Sequence, residues 1–244
     1  MLKSKAYLNM EESDAPMKTH HKNSGCHSFL LGVATALSIM SLTLVLIQVT
    51  TSNQTVQVTT GELVSEWPTP PPHDQVARVA RYVVHISDWA SIATISTHPS
   101  IMSYPFANVI SMSDGPVAHA SGVPYMYMTR MDLSGKDLLD DARATLSLSE
   151  AQSTYCQSKG YDPEDPRCAR ILLTGSIIEL KNGTSEAKFA ENALFSRHPV
   201  MKSWPAGHHW FFAKMNITHI FVLDFFGGAS EVDVDDYFRA IPFI

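Results

Sequence analysis

Apolar and polar positions follow three regimes along the chain. Between Lys22 and Glu62 there is no Asp, Glu, Lys or Arg, and Phe29 to Ile47 reads FLLGVATALSIMSLTLVLI. As a helix rising about 1.5 Å per residue, this run is long enough to cross a hydrocarbon core about 30 Å thick. A buried soluble helix is the alternative, but Thr, Gln and Asn follow the run where a Gly or Pro stop would be expected. Residues 50–73 are rich in Thr, Val and Pro and end in Trp67-Pro68-Thr69-Pro70-Pro71-Pro72, a pattern that predicts an extended stalk.

From Asp74 onward the pattern shortens. Runs at Ser91 to Thr97, Ala107 to Met112, Val123 to Met128, Ala144 to Leu148, Cys168 to Leu180, Trp210 to Met215 and Ile217 to Phe226 are β-branched or aromatic. Turn formers such as Ser113-Asp114-Gly115-Pro116 and Gly227-Gly228 separate them, so they read as strands. Helices are predicted in four places. Asp74 can cap one whose Val76, Val79, Ala80, Val83 and Val84 share a face, with Arg78 and Arg81 toward the other side. Ser134-Gly135-Lys136-Asp137 has the form of a capping box, Thr184 to Phe195 is a second helical run, and Val234 to Ala240 closes the chain. Mostly antiparallel strands with peripheral helices predict a mainly β, closed or half-open barrel. The organisation is then a leading segment (1–28), a membrane or signal segment (29–49), a stalk (50–73) and one globular domain (74–244).

Charge narrows the compartment and the partners. The net charge is -6 and charged residues make up 17% of the chain, below the roughly 25% of average soluble domains, and no basic patch supports nucleic-acid binding. Lys18 and Lys22 precede the apolar run and no Lys or Arg follows until Arg78, which places the N-terminus in the cytoplasm and the domain in a lumen or outside the cell. A cleaved signal peptide and a retained type II anchor, with the membrane crossed by Phe29 to Ile47, both satisfy this asymmetry. Asn53-Gln54-Thr55, Asn182-Gly183-Thr184 and Asn216-Ile217-Thr218 have the form of N-glycosylation acceptors, all on the lumenal side. Cys156 and Cys168 flank a Gly- and Pro-containing loop; in an oxidising lumen they should pair, with stabilisation of ~3 kcal/mol for so short a loop. Cys26 is left unpaired at the membrane boundary, where acylation is one use for it.

Independent catalytic signals are thin. The 11 histidines include no HExxH, and His208-His209 would point to opposite sides of a strand. No GxSxG elbow or Gly-rich phosphate loop occurs. Asp162, Glu164 and Asp165 fit a solvated turn between prolines better than a carboxylate pair. Ile217 to Phe226 is apolar at both parities, so both of its faces want cover. One can pack on the barrel and the other on a second subunit through Phe221 and Phe225, the alternative being burial under the chain's own helices.

Several segments together resemble a known family. Val79-Ala80-Arg81-Tyr82, Ser87-Asp88-Trp89-Ala90-Ser91 running to Thr97, Ser113-Asp114-Gly115-Pro116, Gly122-Val123-Pro124-Tyr125, the Cys156 to Cys168 loop, Arg197-His198-Pro199, Trp210-Phe211-Phe212-Ala213-Lys214 and Val222-Leu223-Asp224-Phe225-Phe226-Gly227-Gly228 are similar to the CREG family of secreted or endolysosomal glycoproteins. The resemblance runs from about Val79 to Tyr237. It implies a split β-barrel of the FMN-binding, pyridoxamine phosphate oxidase-like type, assembled as a homodimer. It further implies a non-catalytic protein acting by receptor interaction in growth or differentiation control, the mannose-6-phosphate receptor being one glycan-dependent partner. The different-class alternative is an FMN-dependent oxidoreductase. Thr129, Arg130 and Lys136 stand near where flavin-phosphate ligands would be expected. Yet Ala107-Asn108-Val109 occupies a strand where such enzymes often carry a phosphate-binding Arg, and His98 to Pro105 replaces a tight turn, so no cofactor is expected. A haem would need an axial histidine; His85, His119 and His198 are the candidates.

Overall fold

The computed structural model describes residues 67–243. The chain divides into two units, Met1–Thr60 and Gly61–Ile244, and all that follows concerns the second. The run Phe29 to Ile47, Cys26 and Asn53 lie outside the described residues. No described helix is long and apolar enough to cross a membrane.

Seven strands form one antiparallel sheet: β1 (Trp89–Ile95), β2 (Pro105–Ser113), β3 (Tyr125–Met128), β4 (Arg143–Ser149), β5 (Arg170–Glu179), β6 (Phe211–Leu223) and β7 (Ser230–Val232). The order is β3-β2-β1-β4-β5-β6-β7, and β3 also pairs with β6, so six strands close into a barrel with β7 outside the closure. The chain meanders through β1, β2 and β3, then crosses by helix α2 (Leu133–Asp140) to lay β4 against the far edge of β1. Strict alternation makes closure work. In β4, Ala144, Leu146 and Leu148 point inward and are buried while the residues between them are not. Ile171 and Leu173 of β5, Ile92 of β1, Met126 and Met128 of β3 and Ile220 of β6 complete the same core.

Strand β6 differs from the sequence reading: Trp210 to Met215 and Ile217 to Phe226 are one strand. Its first part, Phe211 to Lys214, lies between β3 and β5, and Ile220 to Val222 lie between β5 and β7. The strand stays continuous because the register slips at Thr174/Gly175, where Thr218 becomes an extra residue whose hydroxyl donates to the Thr174 carbonyl at 3.1 Å. A Cβ on Gly175 would stand 1.9 Å from the Asn216 carbonyl oxygen, so only glycine fits there.

Helix α1 (Val76–Ile86) packs over the sheet, and Val79 through Ile86 are all buried. Two expectations change as a result. Arg81 does not face solvent. It is 4% exposed and donates to the carbonyls of Ala120 at 2.5 Å, Phe238 at 3.3 Å and Tyr237 at 3.4 Å, because helix α5 (Val234–Arg239) and the loop after β2 cover that side. Nor does Asp74 cap the helix: Gln75 occupies the cap, its side chain accepting from Arg78 and not from a backbone N–H of the first turn, and the Pro72 carbonyl accepts its N–H at 2.9 Å. Helix α2 starts one residue before Ser134, capped by Asp132, whose carboxylate accepts the Ser134 N–H at 2.9 Å. Two further helices lie between: α3 (Thr154–Ser158), in a stretch not read as helical, and α4 (Ser185–Arg197), which matches the run read from Thr184 to Phe195, with Thr184 as its cap. Residues 67–73, read as the end of the stalk, lie on the domain: the Tyr82 hydroxyl donates to the Pro68 carbonyl at 2.7 Å and His73 stacks on Phe225 at 4.4 Å.

Candidate functional site

A cavity of about 300 Å³ stands where a flavin phosphate was considered, bounded by Ile92, Asn108, Thr129, Asp132, Trp204 and Trp210 among others. The three candidate phosphate ligands do not converge on it. Thr129 lines it, but its hydroxyl donates to the His208 carbonyl at 2.5 Å and accepts the Met131 N–H at 3.2 Å. Arg130 is ion-paired to Glu179 and lies 4.4 Å from the Phe211 ring. Lys136 is exposed on α2 and makes no side-chain bond to another described residue.

Acid takes the place of the missing arginine. The Asn108 amide donates to both oxygens of Asp132 at 3.2 Å and to the Ser134 hydroxyl at 3.2 Å. One turn further along α2, Asp137 is 2% exposed and accepts from the Thr94 hydroxyl at 2.8 Å and from the Thr97 N–H and hydroxyl at 2.8 and 2.9 Å. Burial raises the pKa of this carboxyl, but the three donors outweigh it and hold the group below its usual range. A phosphate dianion entering here would meet the Asp132 carboxylate and no lining Lys, Arg or His, an arrangement that repels it. The cavity's other wall is aromatic: Tyr127 stacks on Trp210 at 5.2 Å and Trp204 packs on Trp210 at 4.7 Å.

The histidines considered for haem are committed elsewhere or poorly placed. Buried His85 has both ring nitrogens engaged, Nδ1 with Asp114 at 2.6 Å and Nε2 with the Val117 carbonyl at 3.0 Å. His198 Nε2 meets the Met112 carbonyl at 3.0 Å, and His119 is exposed beside Phe189. His208 ends a short 3-10 turn and His209 takes a left-handed conformation at φ 52°, so the two do not lie in a strand as their spacing suggested.

A second cavity, also about 300 Å³, was not foreseen. It lies between the segment Pro70 to His73, the disulfide loop and the end of β6, and two carboxyls face it, Glu150 and Asp224. The disulfide joins Cys156 to Cys168 with Cα atoms 5.6 Å apart. Glu150 is 2% exposed; one of its oxygens accepts the Ala169 N–H at 3.3 Å and Oε1 has no partner among the described residues. Burial, helped by the Asp224 charge and opposed by the Ala169 N–H, lifts its pKa to about 7. Burial also lifts Asp224 to about 6, against the pull of His73, and Asp224 Oδ2 is likewise buried without a partner. Both acids continue the inward parity of their strands, Ala144-Leu146-Leu148-Glu150 and Ile220-Val222-Asp224. That parity was the signal available in sequence. Within the loop, Asp162 and Glu164 are exposed turn residues and Asp165 pairs with Arg167 at 2.6 Å, which makes a solvated turn.

The remaining site residues lie on the surface or within the sheet. Asn182 and Asn216 are exposed, in the turn after β5 and on β6. Phe221 is half-buried, opposite Leu172 of β5 and Glu231 of β7, while Phe225 is 47% exposed against His73. An open apolar face lies elsewhere among the described residues, on the outer side of β1 and β2. Trp89, Ala93 and Ile95 stand there opposite Ser111, Ala107 and Pro105, with Val109 62% and Tyr104 66% exposed. Sequence reasoning missed this face because its residues are spread over two short strands.

The family model described as CREG, beta-barrel matches residues 71–239. Protein CREG1 of Homo sapiens is 46% identical over 175 residues, covering 72% of this chain and 79% of that protein, and Protein CREG1 of Gallus gallus is 47% identical over 174 residues, covering 70% and 90%. Protein CREG2 of Mus musculus is 43% identical, with 68% of this chain and 57% of that protein covered. Among solved structures, a heme binding protein from Mycobacterium smegmatis superposes with a TM-score of 0.54 at 16% identity, covering 71% of this chain and 62% of that one. The protein Atu2129 from Agrobacterium tumefaciens gives 0.52 at 19%, covering 70% and 63%. At these identities the likeness is one of fold.

Proposed function

Since the chain belongs to the CREG family, we propose that it is a non-catalytic glycoprotein of the secretory pathway, secreted, endolysosomal or anchored as a type II protein, that acts by binding other proteins. The observation that carries the non-catalytic reading is the state of the cavity beside Thr129: Asn108 and Asp132 stand where a phosphate would need cations, and Arg130 is held by Glu179. Glycans on Asn182 and Asn216, both exposed, are the handles for a lectin-type receptor such as the mannose-6-phosphate receptor, and growth or differentiation control is the process such binding would serve. The protein works as a homodimer. The surface that suits a second copy is the outer face of β1 and β2, since an open apolar sheet face of this kind is costly in water.

The full chain purified from a eukaryotic host tests this. The expected result is no flavin absorbance, a mobility shift on glycan removal, and a dimer by light scattering. Stoichiometric yellow colour would overturn the non-catalytic reading and favour an FMN-dependent oxidoreductase.

A further inference from the structure

The cavity beside the disulfide loop takes no part in the proposed function, and its chemistry is specific. We propose that it takes a primary ammonium group on a short alkyl stem. Glu150 is almost wholly buried, lines the cavity, and has one oxygen committed to Ala169 N–H and one with no partner. Asp224, on the same cavity, has a buried oxygen without a partner as well. The only Lys or Arg lining it, Arg167, donates to both oxygens of Asp165 at 2.9 and 2.6 Å and lies 4.2 Å from the Tyr161 ring. The cavity wall therefore offers its two acids no uncommitted Lys or Arg, only the imidazole of His73, an arrangement that a cationic guest relieves.

Three features select an ammonium over other cations. Among the described residues the only trio of potential ligand atoms within 4.8 Å is Glu150 with Cys156 and Cys168, and sulfurs joined in a disulfide offer a metal no thiolate. A guanidinium favours two parallel acceptors on one carboxylate, and Glu150 presents one. The rest of the wall, Tyr155, Tyr161, Phe225 and prolines 70–72, is apolar or aromatic, which suits an alkyl stem and adds cation–π attraction for a charge within about 6 Å of a ring. At about 300 Å³ the cavity is at the small end of ligand sites, which run from roughly 300 to 1,000 Å³. The groups whose charge governs binding are Glu150 and Asp224, with His73 and Arg167 at the wall, Tyr155 and Tyr161 from the loop and Tyr82 of α1 behind Glu150.

Calorimetric titration of the full chain in amine-free buffer tests the site, with n-butylammonium chloride and Nα-acetyl-lysine N-methylamide as probes. Saturable binding of either at pH 7.5 is expected, at least tenfold weaker at pH 5.0, where both carboxyls are protonated, and at least tenfold weaker in Glu150→Gln and in Asp224→Asn. Tighter binding of butylammonium points to a free amine, and of the lysine derivative to a lysyl side chain. Near-UV circular dichroism reports whether each variant is folded; if Glu150→Gln is not, Asp224→Asn and the pH dependence of the wild type decide. No saturable binding of either probe, or binding unchanged in the folded variants, overturns the proposal. So does calcium chloride binding that Glu150→Gln abolishes, since that result makes the site a metal site.

Discussion

Replacing Glu150 by Gln should change how stability depends on pH. The carboxyl is displaced upward on folding, from 4.5 to about 7, chiefly by burial. At 1.36 kcal/mol per pH unit the full displacement corresponds to about 3 kcal/mol. The sign follows from proton counting. Between pH 4.5 and 7 the folded state holds the Glu150 proton and the unfolded state has lost it, so stability falls as pH rises through this window. Between pH 5.0 and 7.5 the loss from this one group is about 2 kcal/mol. The opposite sign applies to Asp137, whose folded pKa is lowered and whose contribution is lost on acidification. Taking the difference between wild type and Glu150→Gln cancels it and every other unchanged group. Guanidinium unfolding in amine-free buffer at the two pH values is the assay. Relative to wild type, the variant should gain about 2 kcal/mol at pH 7.5 over its standing at pH 5.0, or about 4–8 °C in Tm for a domain of this size. Parallel pH profiles for the two proteins would refute the reasoning, because they would mean that Glu150 is as well solvated folded as unfolded. Asp224→Asn should produce an effect of the same sign, since burial raises this carboxyl too, from 3.8 to about 6, and the double variant should fall short of the sum because the Asp224 charge also helps to raise Glu150.

Asp114 bonds His85 at 2.6 Å and the Gly122 N–H at 3.0 Å, both in the interior; Asp114→Ala strands both and should cost about 3 kcal/mol or more in chemical denaturation. Gly175→Ala drives a Cβ against the Asn216 carbonyl and should cost about 1–3 kcal/mol by the same measurement, whereas Gly160→Ala, with open space around it but φ at +68°, should cost about 1 kcal/mol. Val109→Lys, on the open outer face of β2, should leave Tm nearly unchanged and shift light scattering from dimer to monomer. An unchanged dimer would move the interface elsewhere.

Much of the barrel is legible in sequence because burial inside a closed sheet imposes a period of two, and β4 and β5 carry it without interruption. The chain's own punctuation located four of the five described helices but missed α3, whose end lies inside the Gly- and Pro-containing loop, and the pairing of Cys156 with Cys168 was legible from the compartment. What the sequence could not determine was anything set by neighbours distant along the chain. The division of Trp210 to Phe226 into two strands looked natural at Asn216, but pairing with β5 carries one strand through it by a bulge. Arg81 falls on the polar side of an amphipathic helix, and only the packing of α5 and the loop after β2 makes that side interior. How Thr129 and Arg130 are engaged depends on partners 79 and 49 residues away along the chain, His208 and Glu179, and Lys136 is left exposed. Glu150 and Asp224 lie at the end of alternating strands, so the sequence placed each on an inward parity. That they share one cavity, with no uncommitted Lys or Arg to neutralise them, was decided by closure of the barrel, because it brings the ends of β4 and β6 beneath the same proline segment.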